Sequence, residues 1–186
     1  LRNFGLSIRE KSIVCIGFMG VGKTTVGKML ARRLYRNFID VDVEIEKEFS
    51  MPIPQIFETY GEKAFREKEK ELIRKFSQQP LNVISVGGGA FLQEEIREIC
   101  MTNCVVLFLD ITWESWKERI HILSDSRPLL KGRSLEDIER LFYERQSIYS
   151  LNHSTLQVDN FQAEEAAEYI ADALKLSWEI HAPHSN

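Results

Sequence analysis

Three cysteines in 186 residues are too few for a disulfide-stapled fold. Cys15 falls in an apolar, strand-like run and is expected in the core. Cys100 and Cys104 have Cys-x3-Cys spacing with no second pair and no neighbouring histidine, so zinc is not expected. Such sparing use of cysteine fits a reducing, cytoplasmic setting. No apolar run approaches the about 20 residues of a membrane span, and Leu1–Lys11 lacks the apolar core of a signal peptide. Basic residues are also in deficit: 24 Lys and Arg face 28 Asp and Glu, a net charge of −4. A nucleic-acid partner would favour a basic face and is not expected. Any anionic ligand must be met by a local group of cations. Internal repeats and low-complexity tracts are absent as well.

Strand-like and helix-like stretches alternate along the chain. Ser12–Gly17, Phe38–Val41, Leu81–Val86, Cys104–Leu109 and Thr155–Val158 read as strands. Gly22–Tyr35, two or three pieces between Val43 and Gln78, Leu92–Cys100, a stretch from Trp113, Ser134–Tyr149 and Ala163–Leu176 read as helices. Strands separated by helices pair in parallel, because parallel neighbours need a crossover. The expectation is one three-layer α/β/α domain over residues 1–186 with a parallel sheet of about five strands. Residues 123–133, "LSDSRPLLKGR", are polar at both ends and contain Pro128 and Gly132, which suits a flap. Residues 177–186 are expected to fray as a tail.

"GFMGVGKTT", Gly17 to Thr25, follows a strand and opens a helix, matching G-x-x-x-x-G-K-[ST] at Gly17, Gly22, Lys23 and Thr24. Backbone N–H groups at a helix N-terminus cradle phosphates, and the helix dipole favours their charge. The expected ATP contacts are Gly20, Val21, Gly22, Lys23, Thr24 and Thr25. Lys23 reaches the β- and γ-phosphates, and the Thr24 hydroxyl holds Mg²⁺. An acidic partner for the metal is needed. "CVVLFLD" offers Asp110 and "FIDVD" offers Asp40 and Asp42, two apart and on one side if extended; the pattern does not choose between Asp110 and Asp40. The Asn-Lys-x-Asp tetrapeptide of GTPases is absent, and the chain is too short for a large ATPase motor.

"ISVGGGAF", residues 84–91, ends a strand on Gly87, Gly88 and Gly89. One glycine would make a turn. Three together imply an approach closer than a β-carbon permits.

"GFMGVGKTT", "FIDVDVEIE", "GEKAFREKE", "SVGGGA", "RPLL" and "ERQSIY", in that order over residues 13 to about 160, together resemble the shikimate kinases. The resemblance implies a P-loop fold related to nucleoside monophosphate kinases, and ATP-dependent phosphorylation of the shikimate 3-hydroxyl. It chooses Asp40 to assist Mg²⁺ and gives Asp42 to the substrate hydroxyl. It places Arg66 and Arg145 on the acceptor carboxylate, with Glu69 fixing Arg66, and Gly88 against the acid. Spacing alone would leave Arg66 a solvated partner of Glu62 and Arg145 an ordinary helix residue. Arg127, before Pro128, becomes an arginine finger in the flap, a device worth roughly 10³–10⁵ in rate in related chemistry. The adenine contacts are left open among Arg119, Phe161 and Gln162, because the pattern around them is shifted. The expected catalytic set is Lys23, Asp42 and Arg127 in a monomer. Two rival readings are a small kinase for another acceptor and a nucleotide-dependent regulator without turnover. A nucleotide acceptor would need a base pocket that the Asp42–Arg66–Arg145 set does not supply.

Overall fold

The computed structural model describes residues 6–123 and 132–180, without the side chains of 120–123. Five strands form one parallel sheet: β1 Ile13–Ile16, β2 Asn37–Asp40, β3 Asn82–Ser85, β4 Val105–Asp110 and β5 Ser154–Gln157, in spatial order β2-β3-β1-β4-β5. Successive side chains in a strand point to opposite faces. All four residues of β1 and of β3 are buried, so both faces of the central sheet are covered, whereas edge strand β2 is largely half-buried and edge strand β5 mostly open. This matches the expected α/β layering and strand number.

The helices are α1 Lys23–Leu34, α2 Val41–Phe49, α3 Ile53–Ser77, α4 Glu94–Asn103, α5 Trp113–Leu123, α6 Leu135–Tyr149 and α7 Ala163–Ile180. α1 packs on α7, and α3 packs on α2 and α4. α3 is broken at Gly61, with φ 80° and ψ 168° inside the helix. That region of backbone space is open essentially to glycine alone, and a β-carbon there would meet nothing within 4 Å. Gly61 is therefore required by conformation and not by crowding. Charge-rich α3 still buries one stripe, including Phe65 and Leu72.

Three boundaries differ from the sequence reading. α2 begins at Val41, so Asp40 and Asp42 do not share one extended strand; Asp40 caps the helix, its carboxylate accepting from the Asp42 N–H at 3.1 Å. The stretch after the glycines starts as a 3-10 turn, Ala90–Leu92, before α4. α7 continues to Ile180, so residues 177–180 are helical where fraying was expected. The Arg36 guanidinium lies 5.2 Å from the Trp178 ring centroid while donating to the carbonyls of Lys11 and Arg9, which ties α7 to the start of the chain. Most of the expected flap, Arg127 included, and residues 181–186 lie outside the described residues.

His153 extends the β4–β5 ladder with its ring. Its Nδ1 accepts from the Val106 N–H at 3.0 Å, and the His153 backbone N–H donates to the Val106 carbonyl at 3.0 Å. Burial first, then Lys11, holds the imidazole below its ordinary value of 6.5. A group depressed on folding contributes stability that is complete above its unfolded value and is lost as pH falls through the folded one. Thermal melts from pH 7.5 to 5 should therefore show a loss in the wild type that His153→Gln lacks. Equal pH dependence of the two would refute the coupling.

Candidate active site

Every strand of a parallel sheet ends on the same rim, and ligands of open α/β sheets bind there, where the strand order reverses. Here that point is the end of β1, between β3 and β4. The loop from Gly17 leaves it and enters α1. Gly17 has φ 146°, and a β-carbon on it would stand 2.5 Å from the Leu109 carbonyl oxygen, so no other residue fits. Gly20 and Gly22 also have positive φ, and the latter is the N-cap of α1. Val21 is buried beneath the loop, whereas Thr24 and Thr25 are exposed on the first helical turn. Lys23 is only 8% exposed; its ammonium donates to the carbonyls of Gly17 at 2.8 Å and Phe18 at 3.0 Å.

The Thr24 hydroxyl donates to Asp40 at 2.8 Å and lies 3.5 Å from the Ser85 hydroxyl, with β2 and β3 placing Asp40 directly opposite Ser85. No group of three or more His, Cys, Asp or Glu able to hold a metal occurs among the described residues. Mg²⁺ needs none, since it is usually held by one or two carboxylates with phosphates and water. The oxygens of Thr24, Asp40 and Ser85 fit it. Asp110, the alternative, accepts from the Ile111 N–H at 2.9 Å, and burial pushes its carboxyl above the usual range.

The three glycines lack positive φ, so they are there for space. A β-carbon on Gly87 would stand 3.2 Å from Asp42 and 3.5 Å from Glu69. On Gly89 it would stand 2.9 Å from the Arg66 guanidinium. On Gly88 it would meet the Met19 nitrogen, Arg145 and Tyr149 at ordinary contact distances. The run thus lets Asp42, Arg66 and Arg145, from three different helices, converge on one turn. Within the protein the tightest of the three positions is Gly89, against the end of the Arg66 side chain. Gly89→Ala should raise the Michaelis constant for the acceptor by about tenfold through displacement of one charged hydrogen bond. Steady-state kinetics check it, and an unchanged constant would contradict it.

Arg66 donates to Glu69 at 2.8 Å and, more loosely, to Glu62 at 3.4 Å. Burial opposes its charge, yet Glu69 and Glu62 outweigh it and keep the guanidinium above its usual value. Glu69 is 1% exposed; burial raises it, and Arg66 opposes that most strongly. Gln93 donates to the same carboxylate at 2.8 Å, holding the pair from the start of α4.

Arg145, 8% exposed on α6, is the most unusual charge in the site: among the described residues its buried Nε and Nη1 have no hydrogen-bond partner, although the guanidinium interacts with the Tyr149 hydroxyl. A buried donor left unpaired is costly, which marks a place built for an anion. One turn on, burial pushes Tyr149 up to about 12, so its hydroxyl stays protonated and donates to the Gly88 carbonyl.

Of the residues left open for adenine, Arg119 donates to the carbonyls of Val21 at 3.4 Å and Val158 at 3.2 Å, bridging the phosphate loop and the segment after β5. Phe161 packs on Tyr169, and the Gln162 N–H donates to Glu165. Asp159, which sequence reasoning passed over, collects donors from Thr112, Ser115 and Gln157. These overcome its desolvation and hold the carboxyl well below its usual range. Ser85 and Gln93 were also missed. Neither belongs to a spacing pattern.

Residues 19–175 match the family model of shikimate kinase. The chain is 52% identical over 178 residues to the shikimate kinase of Oceanobacillus iheyensis, covering 96% of this chain and 97% of that one. It is 50% identical over 179 residues to that of Bacillus subtilis, covering 96% of each. The shikimate kinase of Acinetobacter baumannii, solved in complex with shikimate, superimposes with a TM-score of 0.81 at 32% identity, covering 94% of this chain and 96% of that one. The Aquifex aeolicus shikimate kinase gives 0.78 at 39% identity, with 92% and 99% covered. Likeness in sequence and in fold thus extends over nearly the whole of both partners, and the phosphate loop, the glycine run and the convergent arginines all lie within it: the chain belongs to the shikimate kinase family.

Proposed function

We propose that the chain transfers the γ-phosphoryl group of ATP to the 3-hydroxyl of shikimate, giving shikimate 3-phosphate and ADP in aromatic amino-acid biosynthesis. The observation that carries this is the convergence of Asp42, Arg66 and Arg145 on the glycine run, beside the phosphate loop. Two guanidiniums hold the acceptor carboxylate bidentately, a geometry that lysine cannot reproduce. Gly88 presents its backbone to the acid. Asp42 orients the 3-hydroxyl and takes its proton as the oxygen bonds to the γ-phosphorus and the bond to the β–γ bridging oxygen breaks. Lys23, and Arg127 by family resemblance, neutralise charge developing on the transferring group. Thr24 and Asp40 hold Mg²⁺, which when bound neutralises phosphate charge. Positioning and electrostatics dominate, because phosphoryl transfer asks little covalent work of the protein. The chain acts as a monomer. Its three cysteines, all free and buried, suit a reducing cytoplasm, and among the described residues no helix is long and apolar enough to cross a membrane.

ADP release tests this with ATP–Mg²⁺ and shikimate, quinate, gluconate, AMP, CMP or no acceptor. Turnover with shikimate alone is expected. Turnover with another acceptor would keep the phosphate-loop reading and discard the acceptor site. Nucleotide binding without turnover on any of them would make the chain a regulator.

A further inference from the structure

Arg145 has a support that no ion pair supplies. Its guanidinium carbon lies 5.7 Å from the ring centroid of Phe18, within the range of a cation–π contact. Phe18 is the second residue of the phosphate loop, yet its ring turns away from the loop into the protein and is 1% exposed. Two rings hold it edge-on: Trp116 of α5 at 5.2 Å and 73°, and Phe142 of α6 at 5.0 Å and 72°. The loop is pinned again one residue later, where the Trp116 indole donates to the Met19 carbonyl at 2.7 Å. The Met19 nitrogen, in turn, stands 3.4 Å from a β-carbon built on Gly88. Two consecutive residues of the nucleotide loop are thereby locked against the elements that carry the acceptor site.

We propose that Phe18 is a positioning residue for the acceptor: its ring face holds the Arg145 guanidinium in place for the substrate carboxylate, so a phosphate-loop side chain sets acceptor affinity. The proposal rests on Arg145 being the carboxylate anchor. A cation–π contact depends on the electron density of the ring face, whereas packing depends on its volume. The two separate when hydrogen is replaced by fluorine, which depletes the face and leaves the shape nearly unchanged.

The experiment replaces Phe18 with 4-fluoro-, 3,4,5-trifluoro- and pentafluorophenylalanine in the full chain. KM for shikimate should rise stepwise to about tenfold at full fluorination, as expected for a desolvated contact, and more steeply than KM for ATP. Melting temperatures confirm that each protein is folded. A flat series, or parallel rises for both substrates, would overturn the proposal. Phe18→Leu serves as a packing control. Arg145→Lys separates the two ideas: if it raises KM for shikimate while the fluorine series is flat, the anchor stands and the positioning role fails. If it leaves KM unchanged, the anchor itself is wrong and the proposal falls with it.

Discussion

Asp42→Asn is expected to bind ATP as the wild type does and to lose about 10²- to 10⁴-fold in kcat, the usual worth of a positioned general base. The substitution keeps shape and removes the proton acceptor. Geometry should survive it, because the position is fixed by its backbone: Asp42 lies in the first turn of α2, and its N–H donates to the Asp40 carboxylate at 3.1 Å. Losing a negative charge near a helix N-terminus costs only about 0.3–1 kcal/mol, so the fold tolerates the change. The amide also relieves repulsion, since Asp42 adds to the forces raising Glu69. Calorimetry with an ATP analogue and initial rates at saturating shikimate separate binding from chemistry. A kcat equal to the wild type's would remove Asp42 from the reaction.

Arg145→Lys should raise KM for shikimate by about 10- to 100-fold, since a hydrogen bond to a charged group is worth roughly 1.5–3 kcal/mol. Lysine keeps the charge, yet its single ammonium cannot match the two oxygens of a carboxylate. The melting temperature should fall little, because among the described residues Nε and Nη1 of Arg145 have no hydrogen-bond partner to lose, and lysine keeps the charge beside the Tyr149 hydroxyl. That combination, weaker acceptor binding in an equally stable protein, distinguishes an anion anchor from a structural arginine. Unchanged KM with a large drop in stability would assign Arg145 to the scaffold.

The stretch from β1 through the phosphate loop to α1 is legible in the sequence because local chemistry dictates it. An apolar strand, glycines where positive φ is needed and a helix opening on Lys23 leave little choice. The Asp40–Asp42 pair shows the limit. Two aspartates at alternate positions suit a strand, but aspartate is also among the best helix N-caps, and tertiary context decided for the cap. The end of α7 was illegible for a related reason: Trp178 is held by Arg36, about 140 residues away in sequence, which no local pattern reveals. Arg66 and Arg145 sit on amphipathic helices like any solvated cation, and periodicity could not separate them. Family resemblance pointed to both, and burial then set Arg145 apart. Gln93 acts through Glu69, a contact across 24 residues with no motif of its own.

Because all five strands run one way, the phosphate loop and the glycine run leave the sheet on one rim, and the strands begin on the other. Tyr35, between α1 and β2, is 95% exposed there, and Leu81, ahead of β3, is also open to solvent. A dye, a bead or a fusion partner joined at either position would face away from both substrates. The enzyme can thus be tethered or labelled from behind while it turns over.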